Sequence, residues 1–403
     1  MTDKARVPVI LSGVRTPIGR FLGGLSPFSA TQLGALTVRE AVARAGIGPG
    51  LVEEVIMGNV VGAGVGQAPA RQAALGGGIP ASVPAMTINK VCGSGLKAVM
   101  LAAQGIKAGD LQVAVAGGFE SMSNVPFYLR NHRGGVKFGD QTLQDGLIFD
   151  GLWCSFGNCH MGGYAEYTAD KAGITREEAD EFSYHSHMKA VAAAEAGKFK
   201  EEILPVEIQQ RKGSVVVDAD ESPRADSTME ALARLRPAFP KDAPEGITNL
   251  VVTAGNAPGL NDGAASLVVA SQAFAEAHGL PIRAFISNYA VGSTEPRDLF
   301  FAPIDAMRRL MEKDGKGVAD YDLYELNEAF AVQSIADIRA LGIQADRVNV
   351  NGGAVALGHP IGASGARVLV TLLHAMKDRG ASTGAAALCL GGGSAVALSV
   401  EMA

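Results

Sequence analysis

Short apolar runs alternate with segments of helical spacing along this chain, and the whole alternation occurs twice, about 270 residues apart. Strand-like runs at 7–12, 55–61, 85–89 and 113–116 have counterparts at 284–288, 323–326, 347–351 and 386–390. Alternation of this kind predicts an α/β protein built in layers, because each strand buries its faces against the helices between strands. Leu96, Val99, Met100, Ala103 and Ile106 recur at helical spacing after Gly93-Ser94-Gly95. A second long helix is expected over 366–376, after Ala363-Ser364-Gly365. The strand that follows ends in paired glycines in both halves, Gly117-Gly118 and Gly391-Gly392-Gly393. An offset this long indicates tandem duplication of a domain-sized unit, since solenoid repeats recur at roughly 20–50 residues.

The two halves do not abut. Residues 124–258 carry charge clusters such as Arg176-Glu177-Glu178 and Asp218-Ala219-Asp220-Glu221 with less regular alternation. Connections longer than roughly 15 residues are usually functional or separately folded, so a lid or substrate-binding subdomain is expected there. This division gives an N-terminal half over 1–123, continued by about 259–281, then the inserted 124–258 and a C-terminal half over 282–403. Of the 403 residues 51 are glycine, well above the usual share of roughly 7%. With no Gly-X-Y period, they are expected to serve tight turns and close backbone approaches.

Lys and Arg total 35 against 41 Asp and Glu, a formal charge of −6. That balance argues against a nucleic-acid surface. No apolar run approaches the roughly 18 residues of a membrane span. The polar start and the short apolar stretch after it do not read as a signal peptide, so a soluble cytoplasmic protein is expected. Four cysteines in so long a chain are not a disulfide framework and are read as free thiols.

Cys92 lies in Asn89-Lys90-Val91-Cys92-Gly93-Ser94-Gly95, where a strand turns into a helix. Unpaired N–H groups at the helix start are expected to favour its thiolate; the alternative is a buried structural cysteine. His359 sits in Gly358-His359-Pro360 within a glycine-rich loop, aimed at a site or else packed as a core histidine. Cys389 ends a strand before three glycines whose N–H groups form a candidate oxyanion site. Asn327 and Glu328 follow another strand end, and such ends are where α/β sheets bind ligands. Two cysteines, a histidine and an asparagine at strand ends suggest acyl transfer through a thioester, one thiol holding the acyl group while the other moves a proton. His-Glu-x-x-His, Walker and Gly-x-Ser-x-Gly motifs are absent. Cys154 and Cys159 with only His160 beside them do not make a zinc site.

Residues 89–95, 327–331, 352–365 and 389–393 together resemble the four active-site blocks of the thiolases, in the same order and over essentially the whole chain. The resemblance implies a thiolase fold, with duplicated βαβαβαββ halves in a five-layered αβαβα arrangement and an inserted loop domain. It also implies a ping-pong Claisen condensation, or its reverse, on coenzyme A thioesters, with no metal or prosthetic group. Its short-chain branch interconverts two acetyl-CoA with acetoacetyl-CoA and CoA. By position, Cys92 would be the nucleophile, His359 its activating partner and Cys389 the general acid/base. Asn327 would hold a water at the enolate oxygen, and the N–H groups of Cys92 and Gly391 would bind the oxyanion of the acyl-enzyme.

Cys159-His160-Met161-Gly162 resembles the short-chain branch's His-Met-Gly. There Met161 would narrow the acyl pocket and His160 lie near the pantetheine; gap filling in a core is the plainer reading of Met161. Leu152 and Phe330 are further expected substrate contacts, Phe239 is expected by the adenine and Ala254 by the pantetheine. Arg224 would face the nucleotide phosphates, or else be an exposed arginine on a solvated loop. Pro258 and Ala231 stand where many relatives have serine, and 242–250 is an extra stretch. Residues 128–140 resemble the loop that pairs dimers into a homotetramer. The rival readings are a 3-ketoacyl-CoA thiolase of broader chain length and a non-catalytic acyl-CoA-binding subunit.

Overall fold

The computed structural model describes residues 3–211 and 213–403; the expected N-terminal half begins two residues earlier, outside them. Strands β1 (Pro8–Arg15), β2 (Glu54–Gly58), β3 (Ala85–Ile88), β4 (Val113–Ser121) and β5 (Asn261–Ser271) form one half-sheet in the order β1-β5-β4-β2-β3. Strands β6 (Ala284–Ser293), β7 (Leu323–Leu326), β8 (Thr383–Leu390) and β9 (Ser394–Met402) repeat it as β6-β9-β8-β7. Equivalent neighbours pair in the same sense: antiparallel from β1 to β5 to β4 and from β6 to β9 to β8, then parallel onward to β2 and to β7. Among the described residues the half-sheets pair edge to edge through Val9 with Phe285 and Ile10 with Ala284.

One expected strand is missing. Residues 347–351 contribute a single bridge, Val348 to Tyr324, where the other half has β3. Asn349 has a φ of 45°, incompatible with a strand. Its side-chain amide replaces the ladder instead: Leu326 N–H donates to Oδ1 at 3.0 Å and Nδ2 donates to the Leu326 carbonyl at 2.8 Å.

Helices α1 (Ala30–Ala45) and α2 (Pro69–Gly76) cover the outer face of the first half-sheet. Helices α3 (Ser94–Ala108) and α8 (Ile361–Arg379) lie between the half-sheets, and α6 (Ala302–Asp314) covers the outer face of the second. The layering is α, β, α, β, α. Helix α8 is buried at every residue from Ile361 to Met376, as a helix walled in on all sides must be. It begins a full turn before the expected 366, directly after Pro360. The inserted 124–258 includes α4 (Met161–Ala172) and α5 (Arg176–Glu195). Its apolar residues Tyr164, Ala165, Val251 and Val252 share one cluster with Leu299, Phe330 and Cys389 of the C-terminal half, so it packs onto that half as a cover. Helix α7 (Ala331–Leu341) belongs to the same cluster.

The glycine excess has its clearest use where α3 and α8 cross. A Cβ on Gly95 would stand 2.6 Å from the Ala366 nitrogen, and one on Gly365 would press on the Leu96 nitrogen. Each helix thus meets the other's backbone at a glycine near its own start. A Gly365→Ala variant should lose about 1–3 kcal/mol of stability, the usual cost of overpacking. Chemical denaturation reads this as a lower midpoint, and an unchanged midpoint would contradict so close a crossing.

Candidate active site

The turn that presents Cys92 is strained and braced. Val91 holds a φ of 46°, unfavourable for a β-branched residue. The Val91 N–H donates to Asn89 Oδ1 at 2.9 Å, the Lys90 N–H to Ser94 Oγ at 2.8 Å, and Ser94 Oγ donates back to the Val91 carbonyl at 2.6 Å. Asn89 and Ser94 of the sequence motif therefore act on the backbone and aim the thiol.

In the other half Ser364, the duplicate of Ser94, braces a different group. Its hydroxyl donates to the Pro360 carbonyl at 2.9 Å, so at 2.6 Å from His359 Nδ1 it accepts that nitrogen's proton. A hydroxyl has one hydrogen, and spending it on Pro360 fixes the imidazole tautomer. His359 Nε2 then carries a free lone pair, and it is buried with no partner among the described residues. The His359 N–H donates to Asn261 Oδ1 at 2.8 Å, tying the loop to β5. Burial, reinforced by the Arg367 guanidinium, lowers the His359 pKa to about 3. The ring is a neutral base at ordinary pH.

Cys92, His359, Cys389 and Gly391 share the wall of one cavity of about 480 Å³. The backbone N–H groups of Cys92 and Gly391 act on the Cys92 sulfur in the direction that favours a thiolate. The expected thiolate is not found. Burial outweighs those two N–H groups and pushes the Cys92 thiol up to about 12, with the Glu120 carboxylate adding to the rise. Burial likewise raises Cys389, with Cys92 and Asp337 as lesser contributors. Both sulfurs rest as thiols beside a neutral imidazole.

The remaining expected residues divide. Leu152, His160, Met161, Phe239, Pro258 and Phe330 line the same cavity. His160 Nδ1 accepts the Gly162 N–H at 3.0 Å, leaving Nε2–H as the ring's donor. Phe239, expected beside an adenine, stacks on His160 at 4.6 Å in the wall of the cavity that holds the two thiols. Arg224 and Ala254 are exposed and not part of the wall. Asn327 is outside the wall too, although both of its amide atoms are buried and unpaired. Its neighbour Glu328 is a clamp: its carboxylate accepts from Ser186 Oγ and Asn349 Nδ2, each at 2.8 Å, and from the Val355 N–H at 2.9 Å.

Sequence reasoning missed Glu120, which accepts the N–H groups of Val60 and Gly362 at 3.0 Å and of Val61 at 3.2 Å, and Asn59 Nδ2 at 2.8 Å. A carboxylate at the start of α8 is favoured by the unpaired N–H groups and dipole there. Its available signal was an acidic residue ending an apolar strand just after Gly117-Gly118. Leu299 and Phe300, also in the wall, carried no signal beyond their hydrophobicity.

Family models described as "Thiolase, N-terminal domain" and "Thiolase, C-terminal domain" match residues 8–273 and 280–402. The acetyl-CoA acetyltransferase of Pseudomonas aeruginosa is 52% identical over 393 residues, 97% of this chain and 98% of that protein. That of Escherichia coli is 50% identical over 394 residues, 98% of each. The crystal structure of the Bacillus anthracis acetyl-CoA acetyltransferase superposes with a TM-score of 0.95 at 42% identity, covering 98% of this chain and 99% of that one.

Because a thiol pushed up to about 12 exposes a thiolate fraction that grows tenfold per pH unit, alkylation of Cys92 by iodoacetamide should accelerate with unit slope from pH 7 to 9. Peptide mapping against time checks this. A rate already level below pH 8 would mean that the helix start, rather than burial, sets the thiol's charge.

Proposed function

The chain belongs to the thiolase family, and from that premise we propose that it is an acetyl-CoA C-acetyltransferase, interconverting two acetyl-CoA with acetoacetyl-CoA and CoA. The observation that carries the reading is the pair of thiols, Cys92 and Cys389, in one cavity with an unprotonated, unpaired His359 Nε2. A hydrolase needs one nucleophile. A second thiol beside the first suits a reaction that must also move a proton on and off carbon.

In this account His359 takes the Cys92 proton as sulfur attacks the first thioester. The oxyanion falls to the N–H groups of Cys92 and Gly391, the two backbone donors that favour negative charge at the sulfur. As the tetrahedral intermediate collapses, Cys389 protonates the departing CoA sulfur and becomes a thiolate. It then removes the α-proton of a second acetyl-CoA, whose carbanion attacks the acetyl-cysteine. Collapse of that adduct returns the His359 proton to Cys92, and every proton is accounted for. Burial, which makes the Cys389 thiolate costly, also makes it a strong base once formed. Asn327, whose amide is buried and unpaired, would hold a water at the enolate oxygen together with His359.

The substrates are acetyl-CoA, acetoacetyl-CoA and CoA, and the chemistry calls on no metal or prosthetic group. His160 and Met161 would flank pantetheine and acyl group, and Arg224 and Ala254 would meet the CoA outside the cavity. Among the described residues no helix is long and apolar enough to cross a membrane, which supports a cytoplasmic enzyme. Exposed Phe127, Phe138 and Leu143 in the segment after β4 support a homotetramer, since exposed apolar groups on one segment favour burial against a partner.

Incubated with acetyl-CoA, the wild type should gain one acetyl group on Cys92, visible by mass spectrometry. Cys92→Ala should gain none. Cys389→Ala should still acetylate but condense about 10²–10⁴-fold more slowly, the usual worth of a general acid/base. Equal loss of acetylation in both variants would overturn the division of labour.

A further inference from the structure

The cavity that holds the two thiols has an open end and a closed one. Phe156, 74% exposed, and Ile148, 41% exposed, mark the mouth; Phe300, 2% exposed, and Leu299, 1% exposed, mark the floor. Between them the rings form a file. His160 stacks on Phe239 at 4.6 Å, Phe239 meets Phe330 edge to face at 6.3 Å, and Phe330 meets Phe300 edge to face at 5.3 Å. Burial deepens along it, from half-buried His160 and Phe239 through Phe330 at 8% to Phe300. Phe300 lines the same cavity as Cys92 and Cys389 and belongs to one apolar cluster with Cys389, so the file ends in the chamber that holds the two thiols.

We propose that Phe300 is a specificity-determining residue, whose ring closes the deep end of the cavity and limits the acyl group to a few carbons. The proposal rests on the acetyltransferase reading and adds what sets the substrate's length. Phe300 is the penultimate residue of the segment Pro296–Phe301 that leads into α6. The Thr294 N–H just before this segment donates to the Gly393 carbonyl at 2.7 Å, which ties it to the loop following Cys389. The two edge-to-face contacts on Phe330 hold both rings. In a close-packed interior the ring has no free volume to yield to a longer chain, so an extra methylene finds a clash. A hydrophobic wall of this kind discriminates one methylene by roughly 10–200-fold.

The test is kcat/KM for thiolysis of acetoacetyl-CoA and of 3-ketohexanoyl-CoA by the full-length wild type, Phe300→Ala and Phe300→Leu, with the thermal midpoint of each. The wild type is expected to favour the shorter substrate. Its preference should fall at least about 10-fold in Phe300→Ala and by less in Phe300→Leu, through gain on the longer substrate. If Phe300→Ala fails to fold, the milder Phe300→Leu decides. A parallel loss on both substrates, with the preference unchanged, would reduce Phe300 to packing and overturn the inference. A wild type that turns over neither substrate would overturn the acetyltransferase reading, and the inference with it.

Discussion

Everything that makes this molecule work follows from two helices meeting backbone to backbone. α3 and α8 belong to different halves, and Gly95 and Gly365 let them touch with no side chain between. The start of each helix is thereby driven under the other half's sheet. A Cβ on Gly93 would strike Leu390 and Val396 of the second half-sheet, and one on Gly118 of the first would strike the Gly362 carbonyl. The turn before α3 carries Cys92, the loop before α8 carries His359, and Cys389 lies one residue from the end of β8. A thiol from one half meets an imidazole and a second thiol from the other, which neither half assembles alone.

Burial at that junction sets the chemistry. Charged groups are costly in a dry interior unless paired or hydrogen-bonded, so both thiols and the imidazole rest uncharged. Nearby carboxylates are kept for holding backbone. Glu120 gathers three N–H groups where β2 ends and α8 begins, and burial still raises it to about 7 despite them. Glu328 pins the loop that leads to His359. The two thiols and the imidazole are thus neutral at rest inside a frame clamped by carboxylates, where fixed N–H donors are worth most to charge that develops.

Much of this was legible in the sequence because it rests on pattern. Alternation and the repeated Gly-Ser-Gly and Ala-Ser-Gly entries carried the duplicated layers, and the strand-end motifs carried Cys92, His359 and Cys389. The failures share a cause, that side chains acting in three dimensions leave no periodic trace. Residues 347–351 read as a strand because apolar alternation cannot reveal that Asn349 will take a positive φ and pair through its amide. A helix-start cysteine read as a thiolate because sequence shows the helix and not the burial that overrides it. The stack of Phe239 on His160 likewise leaves no trace in the sequence, because it depends on how the inserted segment folds back over the C-terminal half.

The central claim is that one oxyanion site is shared between the halves. The most direct measurement is a crystal structure of the protein acetylated on Cys92. The account predicts the acetyl oxygen about 2.7–3.1 Å from both the Cys92 and the Gly391 nitrogens, one donor from each half. An acetyl oxygen turned away from Gly391, held by the first half alone or by solvent, would contradict it.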